Sequence, residues 1–141
     1  MKEEDKKTLL NLRRQKARDA LKDAILLFEN KSLSSSVNRI YYALFYEASA
    51  LLLTKGMSSS KHGGAKALFH QHFVKTGMVS KEMGKFYSAT FEFRQKGDYD
   101  DFVEFEEDKV SEWIKKAEEF LDALDKAIET EMESGDNDPS P

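Results

Sequence analysis

The sequence has no cysteine and only two prolines, Pro139 and Pro141, both within its last three residues. Without cysteine there is no disulfide framework, no thiolate zinc site and no cysteine nucleophile. Proline is excluded from helix interiors. At a typical usage of about 5%, a run of 138 residues without it points to an all-helical chain. Long hydrophobic runs are also missing. The longest weakly charged stretch, residues 40–54, holds Glu47 and three tyrosines, and it is shorter than the ~20 apolar residues of a membrane span. The start, Met1-Lys-Glu-Glu-Asp-Lys-Lys7, is charged and has no apolar segment of signal-peptide type behind it. A cytoplasmic protein with no membrane association is expected. Ten Phe, five Tyr and one Trp supply a core, which argues against intrinsic disorder. The length of 141 residues suits one domain.

Net charge is −4, but it is unevenly spread. Residues 1–22 carry eight Lys/Arg and four Asp/Glu, and residues 23–97 carry ten and five, together +9. Residues 98–141 carry four and seventeen, a net of −13. Such a split allows two readings: an anionic partner on the basic surface, or an acidic last helix that neutralises basic neighbours.

Apolar spacing of three and four residues predicts helices over 4–30, 35–55, 64–75, 81–96 and about 98–133. The first stripe is Ala17, Ala20, Leu21, Ala24, Ile25 and Phe28; the second is Val37, Ile40, Tyr41, Leu44, Phe45, Ala48, Leu51 and Leu52. Between Arg39 and Lys55 the only charge is Glu47. A helix apolar nearly all round is buried on several sides, so the second helix is expected at the centre. Gly56, Gly77 and Gly97 read as helix ends, and Asp98, Asp100 and Asp101 as caps of the fifth helix, whose stripe begins at Phe102. The fold class is therefore all-α: a mostly antiparallel bundle of about five helices, with residues 1–133 as one domain and 134–141 as a disordered polar tail.

Several site motifs fail. There is no G-x-x-x-x-G-K-[ST], and His62-Gly-Gly64 follows no strand. His70 and His72 are two apart, about 200° around a helix, so they do not converge on one ion. A calcium loop starting at Asp98 would need glycine where Val103 stands and glutamate where Lys109 stands. Two arginines resist dismissal. Arg39 lies in the most apolar helix, with Tyr42, Tyr46 and Ser49 following on its side, and Arg94 continues the fourth helix's apolar face of Met83, Phe86, Tyr87, Thr90 and Phe91. A guanidinium in such a place needs partners. The two are expected to approach each other or to share an acidic or tyrosine partner, as a structural network or as an anion site; Arg94 could also pair with Asp98 one turn on.

Three segments carry a family resemblance: Asn38-Arg-Ile-Tyr-Tyr-Ala-Leu-Phe45, Lys61-His-Gly-Gly with Phe69-His-Gln-His-Phe-Val-Lys-Thr-Gly77, and Arg94-Gln-Lys-Gly-Asp-Tyr99. In this order they resemble the small stand-alone HEPN-domain proteins over about residues 10–130. The resemblance implies a helical bundle that forms a homodimer and a minimal nucleotidyltransferase partner in a toxin–antitoxin-like pair. It also implies that active toxins are metal-independent ribonucleases with an arginine followed, after four to six residues, by a histidine. That pattern is absent: the required positions after Arg39 hold Leu44, Phe45 and Tyr46, and those after Arg94 hold Tyr99, Asp100 and Asp101. A phenol of pKa ~10 is poorly poised for proton transfer at neutral pH. The expected function is that of a HEPN-type accessory protein binding a nucleotide, RNA or a nucleotidyltransferase, without robust catalysis of its own and with no cofactor and no metal. The candidate anion or nucleotide site is Arg39, Tyr42, Tyr46, Arg94, Asp98 and Tyr99. The alternatives are a metal-independent endoribonuclease with Tyr46 or Tyr99 in the histidine's place, and a purely structural interaction module.

Overall fold

The computed structural model describes residues 2–99 and 104–136, and of 97–99, 135 and 136 the backbone alone. Five α-helices follow one another: α1 (Glu3–Glu29), α2 (Leu33–Thr54), α3 (His62–Phe69), α4 (Lys81–Tyr99) and α5 (Glu107–Asp136), with a π-helical turn, His70–Val74, directly after α3. No strand occurs among the described residues.

α2 is central because its sequence is apolar on nearly every side. Ile40, Tyr41, Ala43, Leu44, Ala48, Ala50 and Leu51 have no exposed surface. α1 packs antiparallel to it through small residues, Ala17, Ala20 and Ala24, which let the backbones come close. Ser36 Oγ donates to the Ala24 carbonyl at 2.8 Å near one end of the pair, and Lys6 Nζ reaches the Thr54 carbonyl at 3.3 Å at the other. α5 covers both helices with buried residues that include Ala117, Leu121, Leu124 and Ile128. α4 runs antiparallel to α5 across an aromatic seam in which Trp113 meets Phe86 and Phe93 edge-on at 5.9 and 5.2 Å between centroids.

The acidic last helix pairs with basic neighbours. Arg14 and Arg18 of α1 bond to Asp125, Arg18 also approaches Asp122 at 3.4 Å, and Lys55 approaches Glu131 at 3.6 Å. The neutralising reading of the charge split therefore describes this face.

Several boundaries differ from the sequence expectation. α3 starts at His62 rather than Gly64, and it changes to a π turn at His70, where the Lys75 N–H bonds to the His70 carbonyl five residues back at 2.8 Å. Gly97 does not end α4, which continues to Tyr99; an internal glycine costs a helix only ~1 kcal/mol. α5 begins at Glu107, so Asp98 lies inside α4 instead of capping α5, while Asp100, Asp101 and Phe102 fall outside the described residues. α5 runs to Asp136 and thus enters the segment assigned to the tail.

Gly84 shows why the π turn and α4 approach so closely. A Cβ there would sit 2.9 Å from His70 Cε1 and 3.0 Å from a Val74 methyl. The space is used by His70, whose Nε2 shares a 3.0 Å hydrogen bond with Ser88 Oγ. Gly84→Ala is expected to lower stability by about 1–3 kcal/mol, the range for overpacked sites. Urea unfolding of both proteins checks this; an unchanged midpoint would show that the turn yields freely.

Candidate functional site

The site is built where α2, α4 and the first residue of α3 meet. On α2, Asn38, Tyr41, Tyr42 and Phe45 recur at helical spacing, so one side presents rings to α3 and α4. Tyr41 belongs to the core with no exposed surface, while Arg39, Tyr42, Phe45 and Tyr46 are half-buried. Burial holds the Tyr41 phenol well above its ordinary value, so it stays protonated at neutral pH.

Both arginines converge on Tyr42. Arg94 Nη2 donates to Tyr42 Oη at 3.2 Å, and its Cζ lies 5.2 Å from the ring centroids of both Tyr41 and Tyr42. Arg39 Cζ lies 4.7 Å from the Tyr42 centroid, and its guanidinium donates to Asn38 Oδ1 at 3.0 and 3.3 Å. The shared tyrosine partner expected for the two arginines is thus Tyr42. Tyr46 stands beside it, with its ring 5.8 Å from that of Tyr42 and Lys16 Nζ 5.7 Å above its own centroid. Asp98 and Tyr99 are in the last turn of α4, and their side chains lie outside the described residues.

The residue that sequence reasoning missed is His62. Its Nδ1 shares a 2.8 Å hydrogen bond with Tyr41 Oη, and its ring lies 4.5 Å from Phe45 and 5.5 Å from Tyr42 between centroids. Burial, and then the Arg94 charge, hold its pKa below the ordinary imidazole value. The imidazole is therefore neutral at pH 7 and able to accept a proton. The available signal was Lys61-His-Gly-Gly itself, a segment weighed as a phosphate loop but not as a histidine delivered to α2.

A second polar cluster lies on the far side of α2. Glu47, fully buried, faces Asp125 with Arg14 and Arg18 nearby. Burial, and then the neighbouring Asp125 carboxylate, push the Glu47 carboxyl up to about 9. Burial also acts to raise Asp125, but the neighbouring Glu47 carboxyl and the hydrogen bonds from Arg18 and Arg14 outweigh it and hold that group below the usual aspartate range. The pair works as one acid and one carboxylate. Among the described residues, no group of three or more His, Asp or Glu side chains is placed to hold a metal ion, and no helix is long and apolar enough to cross a membrane.

The chemistry available is thus two guanidiniums, a phenol and a neutral imidazole on an aromatic base, which suits a phosphate group. Comparison with known proteins gives a consistent picture. The model of the HEPN domain matches residues 10–127. A UPF0332 protein of Thermotoga maritima is 58% identical over 89% of this chain and 95% of its own length. Two proteins of Methanocaldococcus jannaschii, named "Putative toxin MJ0605" and "Putative toxin MJ0142", are 38% and 31% identical; the matches cover 79% and 88% of this chain, and 83% and 85% of theirs. With the domain model matched over most of its length and the bundle in place, the chain belongs to the HEPN family.

Proposed function

We propose that this chain is a toxin-type HEPN protein whose Arg39–Arg94 cluster holds a phosphate of RNA or of a nucleotide. The observation that carries the reading is the convergence of two guanidiniums on the single ring of Tyr42, on the half-buried rim of an otherwise apolar helix. A fork of guanidinium donors matches phosphate oxygens. The names of the two archaeal relatives support the toxin-type role. The resemblance supports a homodimer and a minimal nucleotidyltransferase partner, which light scattering and co-purification would test. Fluorescence anisotropy with labelled RNA at low salt tests the site. Wild type is expected to bind, and Arg94→Ala to bind about 10–100-fold more weakly, with unaltered helix content by circular dichroism. Equal affinity of the two proteins would overturn the assignment.

His62 favours a second reading, metal-independent RNA cleavage. It supplies beside Arg94 the imidazole that Tyr46 and Tyr99 were expected to replace. A neutral imidazole can take the proton of a 2′-hydroxyl as that oxygen attacks the adjacent phosphorus. The guanidiniums would stabilise the charge on the phosphoryl oxygens, and the 5′-oxygen would leave with a proton.

A further inference from the structure

α4 presents different residues to its two neighbours. Phe91 and Arg94 meet the tyrosines of α2. Phe86, Ala89 and Phe93 recur at helical spacing on the side toward α5. The two Phe rings are two turns apart, and each meets Trp113 of α5 nearly at right angles, at 79° and 88°. Ala89, half-buried between them, fills its place with a methyl group only. Along this seam lies a half-open hollow of about 510 Å³, with Met83 and these four residues in its lining. Its size falls within the ~300–1,000 Å³ of small-molecule sites.

Charge is graded along the hollow. Because α4 and α5 are antiparallel, Glu82, in the first turn of α4, and Glu119, well along α5, mark one end, and Lys109, at the start of α5, marks the other. Lys116, on the flank, is paired with Glu112 at 3.2 Å. Lys109 stands over the rings: its Nζ lies 5.0 Å from the Phe93 centroid and 5.6 Å from that of Trp113. Lys96 brings a second ammonium to this end, 5.7 Å from the Phe93 centroid. A flat apolar body fits the ring-lined part, where aromatic contacts add to the area buried. An anionic group on that body is drawn to the lysine end and repelled from the glutamates, so one orientation is selected. We propose that the hollow between α4 and α5 binds a small aromatic carboxylate, with its rings against Trp113 and its carboxylate at Lys109. On entry the ligand takes the place of the ammonium over the rings, and Lys109 turns to the carboxylate. The site shares no residue with the arginine cluster and does not depend on the phosphate reading.

Trp113 is the chain's single tryptophan, so its emission reports the hollow directly. The full chain is titrated with biphenyl carboxylate, with the neutral biphenyl carboxamide and with a biphenyl ammonium, and calorimetry gives the affinities. The carboxylate is expected to change Trp113 emission saturably. It should bind about fivefold more tightly than the carboxamide, the upper end for one exposed ion pair, and the ammonium should bind most weakly. Lys109→Met keeps an apolar stem over the rings and removes the charge. It should bring the carboxylate down to the affinity of the carboxamide, which should itself stay unchanged. Ala89→Leu fills the hollow and should abolish binding of the carboxylate without lowering the unfolding midpoint. If that variant fails to fold, Lys109→Met, on the surface, still decides. No binding of the carboxylate to wild type at millimolar concentration would overturn the site. So would undiminished binding in Ala89→Leu. Equal wild-type affinity for carboxylate and carboxamide, or a carboxylate affinity unmoved by Lys109→Met, would overturn the role of the lysine end and with it the proposed ligand class.

Discussion

Replacing Glu47 with glutamine is expected to raise stability at pH 8 by roughly 3–5 kcal/mol and to leave it nearly unchanged at pH 4. The buried carboxyl is pushed up to about 9 in the folded protein and returns to an ordinary value near 4.3 on unfolding. Between those values the folded state holds a proton that the unfolded state releases. Unfolding is therefore favoured as pH rises, by up to ~1.4 kcal/mol per unit. This is the reverse of the usual carboxylate, and Asp125 supplies the usual case: its stabilisation is present above the ordinary aspartate value and is lost as pH falls below it. Glutamine keeps the shape of the protonated acid and has no proton to release, so its curve should stay level where the wild type declines. For a chain of this size the gain corresponds to a melting temperature higher by ~10 °C at pH 8. Calorimetry of both proteins from pH 4 to 9 checks this; parallel curves would mean that Glu47 is ionised when folded.

On the cleavage reading, RNA cleavage measured in EDTA is expected to fall about 10²–10⁴-fold in His62→Ala, the range for a positioned acid–base group. RNA affinity should change little, because the guanidiniums remain. The pH profile gives a second mark. Burial and the Arg94 charge lower the His62 pKa, so its base form persists to more acidic pH than a free imidazole. The acid limb should therefore lie below the ordinary value of about 6.5. Cleavage that survives His62→Ala would remove this residue from the chemistry, and intact RNA in every arm would leave the site as a binding site.

Much of this was legible because helix periodicity is written in consecutive residues. The apolar wrap of α2 and the stripes of α1 and α5 follow from spacing alone, and Arg39 and Arg94 stood out as cations on apolar faces. What could not be read depends on tertiary arrangement. His62 is 21 positions from Tyr41, its hydrogen-bond partner, and the two glycines after it disguise the start of α3. The π turn adds one residue to a turn without changing the kinds of side chain in it. Glu47 was visible as the lone charge of α2, but Asp125 and the arginines that give it meaning come from α5 and α1. Gly97 misled because a glycine that permits a helix end does not require one.

The helix that bonds Arg14, Arg18 and Lys55 also polarises the molecule. Its acids engage cations of α1 and of the end of α2, whereas Arg39 and Lys66 stand over tyrosine and phenylalanine rings. Rings leave a cation's charge visible from solvent in a way that carboxylates do not. In a chain of net charge −4, Arg39 and Lys66 thus place local positive charge at the α2–α4 rim. Such a patch would orient an approaching polyanion toward that rim before contact. Such pre-alignment shortens the search for a productive encounter, and it fades as added salt shortens the reach of the field.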